Sequence, residues 1–279
     1  MSKLDLRRRF ATLAAVSSVA VWLACVATPA VSSPAEATNF ATSAKPTIVL
    51  VHGAFAESSS WAAVITGLRE KGYPVVAAAN PLRGVHSDAT YLADLVNSIP
   101  GPVVLVGHSY AGSVITNVAS DRSHVKALVY VAAFAPDAGE SAATLDAKYP
   151  GSTLGAALLP PVPLGDGNYD LYVKPSEYRA SFAADVPARA AQLLGATQRP
   201  LNAAAFAEPS GSPAWKFIPS WFIYGTSDKA IPPALQPFMA ERAHSRHTVA
   251  VEGASHAVMA SHPEAVVELI VEAADADYR

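Results

Sequence analysis

The chain has 279 residues, 51% of them hydrophobic and 15% charged, with 22 Pro, 16 Gly, one Cys and a formal net charge of −3. Ample apolar material excludes disorder as its main state. The weak acidity, with no Lys/Arg cluster beyond the first ten residues, excludes nucleic acid as a partner.

Residues 1–10 are basic, an apolar small-residue run spans Ala11 to Ala27, and a Pro/Ser-rich stretch ends in Ala35-Glu36-Ala37. That order predicts a signal peptide over 1–37 and an exported chain, periplasmic or secreted. The run is broken by Thr12, Ser17 and Ser18, whereas a spanning helix wants about 20 predominantly apolar residues, so no stable membrane insertion is expected after cleavage. Arg7-Arg8-Arg9-Phe10 resembles a twin-arginine signal, with Leu6 where Ser or Thr is usual. Trp22-Leu23-Ala24-Cys25 faintly resembles a lipoprotein processing site, which keeps a lipid anchor at Cys25 as the lesser reading. Cleavage removes Lys3, Arg7, Arg8, Arg9, Asp5 and Glu36, a net +2, and leaves a chain near −5 without cysteine. Such a chain holds neither a disulfide nor a thiolate metal site.

Residues 38–46 read as a linker. Thr47 to His52 is then a continuous apolar run between Pro46 and Gly53, the pattern of a buried parallel strand. Trp61, Val64, Ile65 and Leu68 recur at helical spacing within Ser60–Lys71, which Gly72 closes. The alternation continues through strand Tyr73–Ala79, helix Ser87–Ser98, strand Pro102–Val106, helix Ala111–Ser120 and strand Val125–Ala133. It resumes with strand Trp221–Tyr224, helix Pro233–Ala243, strand His247–Val251 and helix Pro263–Ala274. The expected fold is α/β, a doubly wound, six-stranded, mostly parallel sheet within a domain over 47–274. Residues 136–219 break the rhythm with many prolines, and their aromatics argue against a solvated linker; a mostly helical cap inserted before the last two strands is expected there.

Gly107-His108-Ser109-Tyr110-Ala111 follows strand Val103–Val106 and opens a helix. A sharp strand-to-helix turn lifts a serine hydroxyl clear of the backbone, which makes Ser109 the candidate nucleophile. Ala111 stands where such turns usually have a second glycine, and is tolerated if it keeps a negative φ. Serine needs a base in reach and an acid to fix that base's tautomer. His256, in the small-residue loop after the last strand, is the expected base, and Asp228, after strand Trp221–Tyr224, the expected acid; Asp137, after strand Val125–Ala133, is its rival. Backbone N–H groups of Tyr110 and Ala54 are the expected oxyanion donors. His52 and His108 read as structural hydrogen-bonders. Phe55 and the cap aromatics Trp215, Phe182 and Tyr172 are the candidates for substrate contact.

Leu50 to Phe55, Gly107 to Gly112, Gly225 to Pro232 and Gly253 to Met259 together resemble the α/β-hydrolase superfamily. They are most similar to its carboxylesterase branch related to plant methyl esterases and hydroxynitrile lyases. The resemblance spans about residues 46–274 and implies a Ser-His-Asp triad, no cofactor, no metal, a helical cap, and a small-molecule ester as partner. Only some nine residues separate the expected cleavage site from the first strand, so the family's N-terminal hairpin is expected to be missing and the sheet to be six-stranded and parallel. Where the lyases carry Thr and Lys, this chain has Gly53 and Ala257, so no cation is available for departing cyanide and an esterase is expected. The same triad would also serve a lactonase or a cofactor-free perhydrolase, and the same fold a non-catalytic ligand receptor.

Overall fold

The computed structural model describes residues 45–118 and 124–277. The expected signal peptide, Cys25 and the linker up to residue 44 lie outside the described residues, as do positions 119–120 of the helix expected over Ala111–Ser120.

β1 (Thr47–Val51), α1 (Ala62–Glu70), β2 (Val75–Ala78), α2 (Val85–Asn97), β3 (Val103–His108), α3 (Ala111–Thr116) and β4 (Val125–Val131) follow one another in strict alternation. Next come α4 (Ala142–Asp146), β5 (Val162–Pro163), β6 (Tyr169–Leu171), α5 (Pro175–Phe182), α6 (Ala188–Ala196), β7 (Leu201–Asn202) and α7 (Ala203–Ala207). β8 (Ser220–Gly225), α8 (Leu235–Arg242), β9 (His247–Val251), α9 (Val258–Ser261) and α10 (Pro263–Asp275) complete the chain. The main sheet has six strands in the order β2-β1-β3-β4-β8-β9, with every pairing parallel.

Val, Ile and Leu dominate β1, β3 and β4 because these central strands are covered on both faces. Val49, Val51, Leu105 and Leu128 point to the layer of α2, α3 and α8, whereas Ile48, Leu50, Val104, Val106 and Val129 point to α1 and α10. The helices bury matching stripes: Val85, Ala89, Leu92 and Val96 on α2, and Val266, Val267, Ile270 and Ala273 on α10. α10 starts on Pro263, whose fixed φ suits the first helical turn. α3 stops at Thr116, where the Asn117 side chain donates to Ser113 O at 2.8 Å and to Ser210 Oγ at 2.7 Å.

The chain runs from β1 outward to β2 and then back across to β3, so the strand order reverses between β1 and β3. In open α/β sheets, ligands bind outside the carboxyl ends of strands at such a reversal. Both flanking loops, Gly53–Phe55 and Ser109–Tyr110, begin there.

The segment between β4 and β8 is less helical than its sequence suggests. Four short helices accompany a three-stranded antiparallel sheet, β5-β6-β7. Leu145, Val173, Phe182 and Leu201 bury it against the core, and polar contacts add to this: Tyr178 Oη donates to Phe55 O at 2.8 Å, Asn202 N to Leu82 O at 3.0 Å, and Arg83 pairs with Asp170 at 2.7 Å. Among the described residues no helix is long and apolar enough to cross a membrane.

Candidate active site

Ser109 sits between β3 and α3 with φ +56°, a left-handed backbone that costs a residue with a β-carbon of order 1–3 kcal/mol and so persists only where its surroundings enforce it. Enforcement comes from packing and hydrogen bonds. A β-carbon at Gly112 would lie 2.1 Å from Phe134 O, and one at Gly53 2.6 Å from Ser109 Cβ. Ser109 O accepts from Gly112 N at 3.0 Å and Phe134 N at 3.2 Å. Ala111 opens α3 with an ordinary helical φ, so the methyl group in place of a glycine is accommodated.

The loops after β8 and β9 bring a carboxylate and an imidazole together. His256 Nδ1 lies 2.7 Å from Asp228 Oδ2, both side chains being wholly buried. Asp228 Oδ1 accepts from Ala230 N at 2.7 Å and Ile231 N at 3.0 Å, which fixes the carboxylate. A carboxylate can only accept, so the ring proton is on Nδ1 and Nε2 carries the lone pair. Nε2 is buried and finds no partner among the described residues. Phe182 lies edge-on to the ring at 4.7 Å between centroids, and Ala257 N donates to Phe182 O at 3.1 Å. The β8 and β9 loops pack so closely that a β-carbon at Gly225 would lie 2.2 Å from Ala254 O.

His108 links the two halves of the site. Its Nε2 lies 3.1 Å from His256 O, its ring is 4.7 Å from that of His256, and Ser109 is its chain neighbour. Burial, reinforced by the neighbouring His256, holds the His108 pKa well below the usual imidazole value, so it stays neutral. No hydrogen bond joins Ser109 to His256 in this state, as is common for such pairs before substrate binds.

Asp137, the rival acid, is committed elsewhere: its Oδ1 takes the Lys216 ammonium at 2.6 Å, and it makes no contact with His256.

On the other flank, His52 Nε2 accepts from Asn80 N at 3.0 Å while Asn80 Nδ2 donates to His52 O at 3.0 Å. This pair anchors the loop that carries Ala54. Among the described residues neither Ala54 N nor Tyr110 N donates a hydrogen bond within the protein. Both residues line the same cavity as Ser109.

That cavity, about 110 Å³, is walled by Phe55, Phe134, Phe206, Leu158, Leu171 and Ile231. It is smaller than the roughly 150 Å³ apolar cavity known to admit benzene, so it takes a small group as it stands. Phe55 lines it as expected from the sequence; Trp215 does not. Trp215 Nε1 instead donates to Pro136 O at 3.1 Å, and its ring packs beneath Lys216 and Arg242 on another face. The physical reason is that an indole buried by two cations and a carbonyl gains as much there as in a pocket.

Sequence reading missed Asp146. Asp146 lines the cavity, and burial followed by the nearby Asp228 charge pushes its pKa up to about 6 against a lowering contact from Ser152. Its Oδ1 is buried without a partner. One signal was available: an aspartate that closes a helix stands where the peptide dipoles disfavour negative charge. Among the described residues no cluster of three His, Cys, Asp or Glu side chains is placed to hold a metal.

The fold and this arrangement at its strand ends define a class, and the family comparison agrees. The chain belongs to the alpha/beta hydrolase family, whose model matches residues 48–269. It is 26% identical over 253 residues to the alpha/beta hydrolase nvfD of Aspergillus novofumigatus, covering 82% of this chain and 97% of that protein. It is 26% identical over 250 residues to the pyrethroid hydrolase of Sphingobium wenxiniae, covering 83% and 89%. Among solved structures, polyneuridine aldehyde esterase superposes with a TM-score of 0.71 at 20% identity, covering 83% of this chain and all of the other. A methylesterase from Arabidopsis superposes at 0.63 with 20% identity, covering 82% and 98%.

Proposed function

We propose that the protein is a serine hydrolase that cleaves a small-molecule carboxylic ester through an acyl-enzyme. The observation that carries the reading is the buried His256, held by Asp228 with its Nε2 uncommitted, beside a strained turn that presents Ser109 to an apolar cavity. In this reading, rotation of the Ser109 side chain brings Oγ to Nε2. His256 takes the hydroxyl proton as Oγ attacks the ester carbonyl, and Asp228 stabilises the resulting imidazolium. Ala54 and Tyr110 N–H groups hold the oxyanion, each such donor being worth roughly 2.7–4 kcal/mol. The tetrahedral adduct then collapses; His256 returns its proton to the leaving alcohol, and water repeats the sequence to release the acid and restore the serine.

Relatives named as a pyrethroid hydrolase, a carbendazim hydrolyzing esterase and polyneuridine aldehyde esterase support ester chemistry. A cyanide-releasing lyase is disfavoured, because no Lys, Arg or His side chain lines the cavity among the described residues. A threonine at Gly53 would also press its β-carbon into Ser109. The reading further assigns 1–37 to an export signal, 38–46 to a linker and 47–274 to the hydrolase domain, with its cap over 136–219. N-terminal sequencing of the exported protein checks the first of these.

The direct test is Ser109→Ala with p-nitrophenyl butyrate as substrate. Loss of more than about a thousandfold in kcat is expected. Activity within tenfold of the parent would defeat the proposal.

A further inference from the structure

Asp146, the last residue of α4, shares the cavity with Ser109, Ala54 and Tyr110. Apart from the Ser109 hydroxyl, the other polar side chains on that wall, Ser152 and Tyr110, already have partners. Ser152 spends its proton on Ala230 O at 3.0 Å, and the Tyr110 phenol donates to Asp88 Oδ2 at 2.9 Å. The carboxyl of Asp146 keeps an unpartnered, buried Oδ1, and no cationic side chain lines the cavity to neutralise it. A plain alkyl group entering here would strip water from the carboxyl and return nothing, whereas a donor on the ligand would recover the loss. An ammonium would answer the charge but must itself be desolvated in a mostly apolar chamber; a hydroxyl gives the hydrogen bond at lower cost. In either protonation state the carboxyl keeps an acceptor oxygen for that hydroxyl.

Resting on the ester-hydrolase reading above, we infer that Asp146 is a specificity-determining residue that accepts a hydrogen bond from a hydroxyl on the substrate group filling the cavity, so the natural ester is a hydroxylated one.

The experiment compares kcat/KM at pH 8 for two matched pairs, methyl butyrate with methyl 3-hydroxybutyrate and ethyl butyrate with 2-hydroxyethyl butyrate. It uses the full chain and its Asp146→Leu and Asp146→Asn variants. In the parent the hydroxylated member of at least one pair is expected to be favoured about tenfold or more, the worth of one hydrogen bond to a charged group. Asp146→Leu is expected to erase that preference, bringing the kcat/KM ratio of each pair to about one, and Asp146→Asn to reduce it. Should the leucine variant not fold, the near-isosteric asparagine variant and the preference of the parent itself decide. Equal treatment of both members by the parent, or a preference untouched in either variant, overturns this inference and leaves the hydrolase reading standing. If the parent cleaves none of these esters nor p-nitrophenyl butyrate, both readings fall.

Discussion

The sheet and the cap are held together in different ways, and the division of labour in the site follows from that difference. The central strands of the sheet are continuous ladders whose side chains are almost wholly buried, so the positions of their ends are fixed by many small contributions. Ser109, Asp228 and His256 all lie on loops that leave these ends. The cap consists of helices of five to nine residues and strands of two or three. Elements of that length do not hold by themselves; they are placed by a few buried side chains, Leu145, Tyr178, Phe182 and Leu201 among them, that join the core on one face of the sheet, and by hydrogen bonds to the loops beside it. In the proposed mechanism the sheet therefore fixes what can react, and the cap what may enter.

Breaking the sheet side should hurt chemistry most. Asp228→Asn keeps the shape but removes the charge that fixes the His256 tautomer, and kcat for p-nitrophenyl butyrate is expected to fall by up to about ten-thousandfold with unchanged far-ultraviolet circular dichroism. A loss under tenfold would mean that the buried pair has a structural role only. On the cap side, Tyr178→Phe takes the hydrogen bond from Phe55 O and leaves that carbonyl buried. A destabilisation of about 1–3 kcal/mol in urea unfolding is expected, with KM rising more than kcat falls. An unchanged unfolding midpoint would show that this clasp does not hold the cap.

The smallest effects concern pH, and here the two regions oppose each other. Burial lowers the pKa of His52 and His108 at the sheet ends, so below about 6.5 the unfolded chain binds protons that the folded chain refuses. Stability from this source is complete above that pH and is lost as pH falls. Asp146 in the cap behaves in the reverse sense. Its folded pKa of about 6 lies above the ordinary aspartate value of 3.8, so between the two the folded chain holds a proton that the unfolded chain has released. Stability from Asp146 therefore declines as pH rises through that window, and the cost is complete above it. Asp146→Asn should raise Tm at pH 8 and do progressively less towards pH 4. A Tm gain independent of pH would mean that the carboxyl is not strained by burial.

The same contrast explains what was legible in the sequence. Short β-branched apolar runs bounded by Pro or Gly, such as Thr47–Val51 and Val103–Val106, read as buried strands, and the turn residues that follow them mark the rim, so chain order and loop chemistry single out Ser109, His256 and Asp228 as candidates. Asp137 competed with Asp228 on paper because each follows a strand; the Lys216 partner that removes it is 79 positions away in the chain. Strands β5, β6 and β7 are too short to show any alternation, which hid the small sheet within an expected helical cap. Trp215 was placed in the pocket because aromatic character does not reveal which way a proline-bounded turn faces. Asp146 escaped notice since a single aspartate at a helix end is ordinary until the cavity beside it is seen.

The most direct test of the account is stoichiometric labelling with a fluorophosphonate, read by intact mass and peptide mapping. One adduct per chain on Ser109 is predicted, abolished by Ser109→Ala and slowed at least a hundredfold by His256→Gln, since general-base assistance contributes typically 10²- to 10⁴-fold. Labelling at any other residue, or at Ser109 with a rate indifferent to His256, would contradict it.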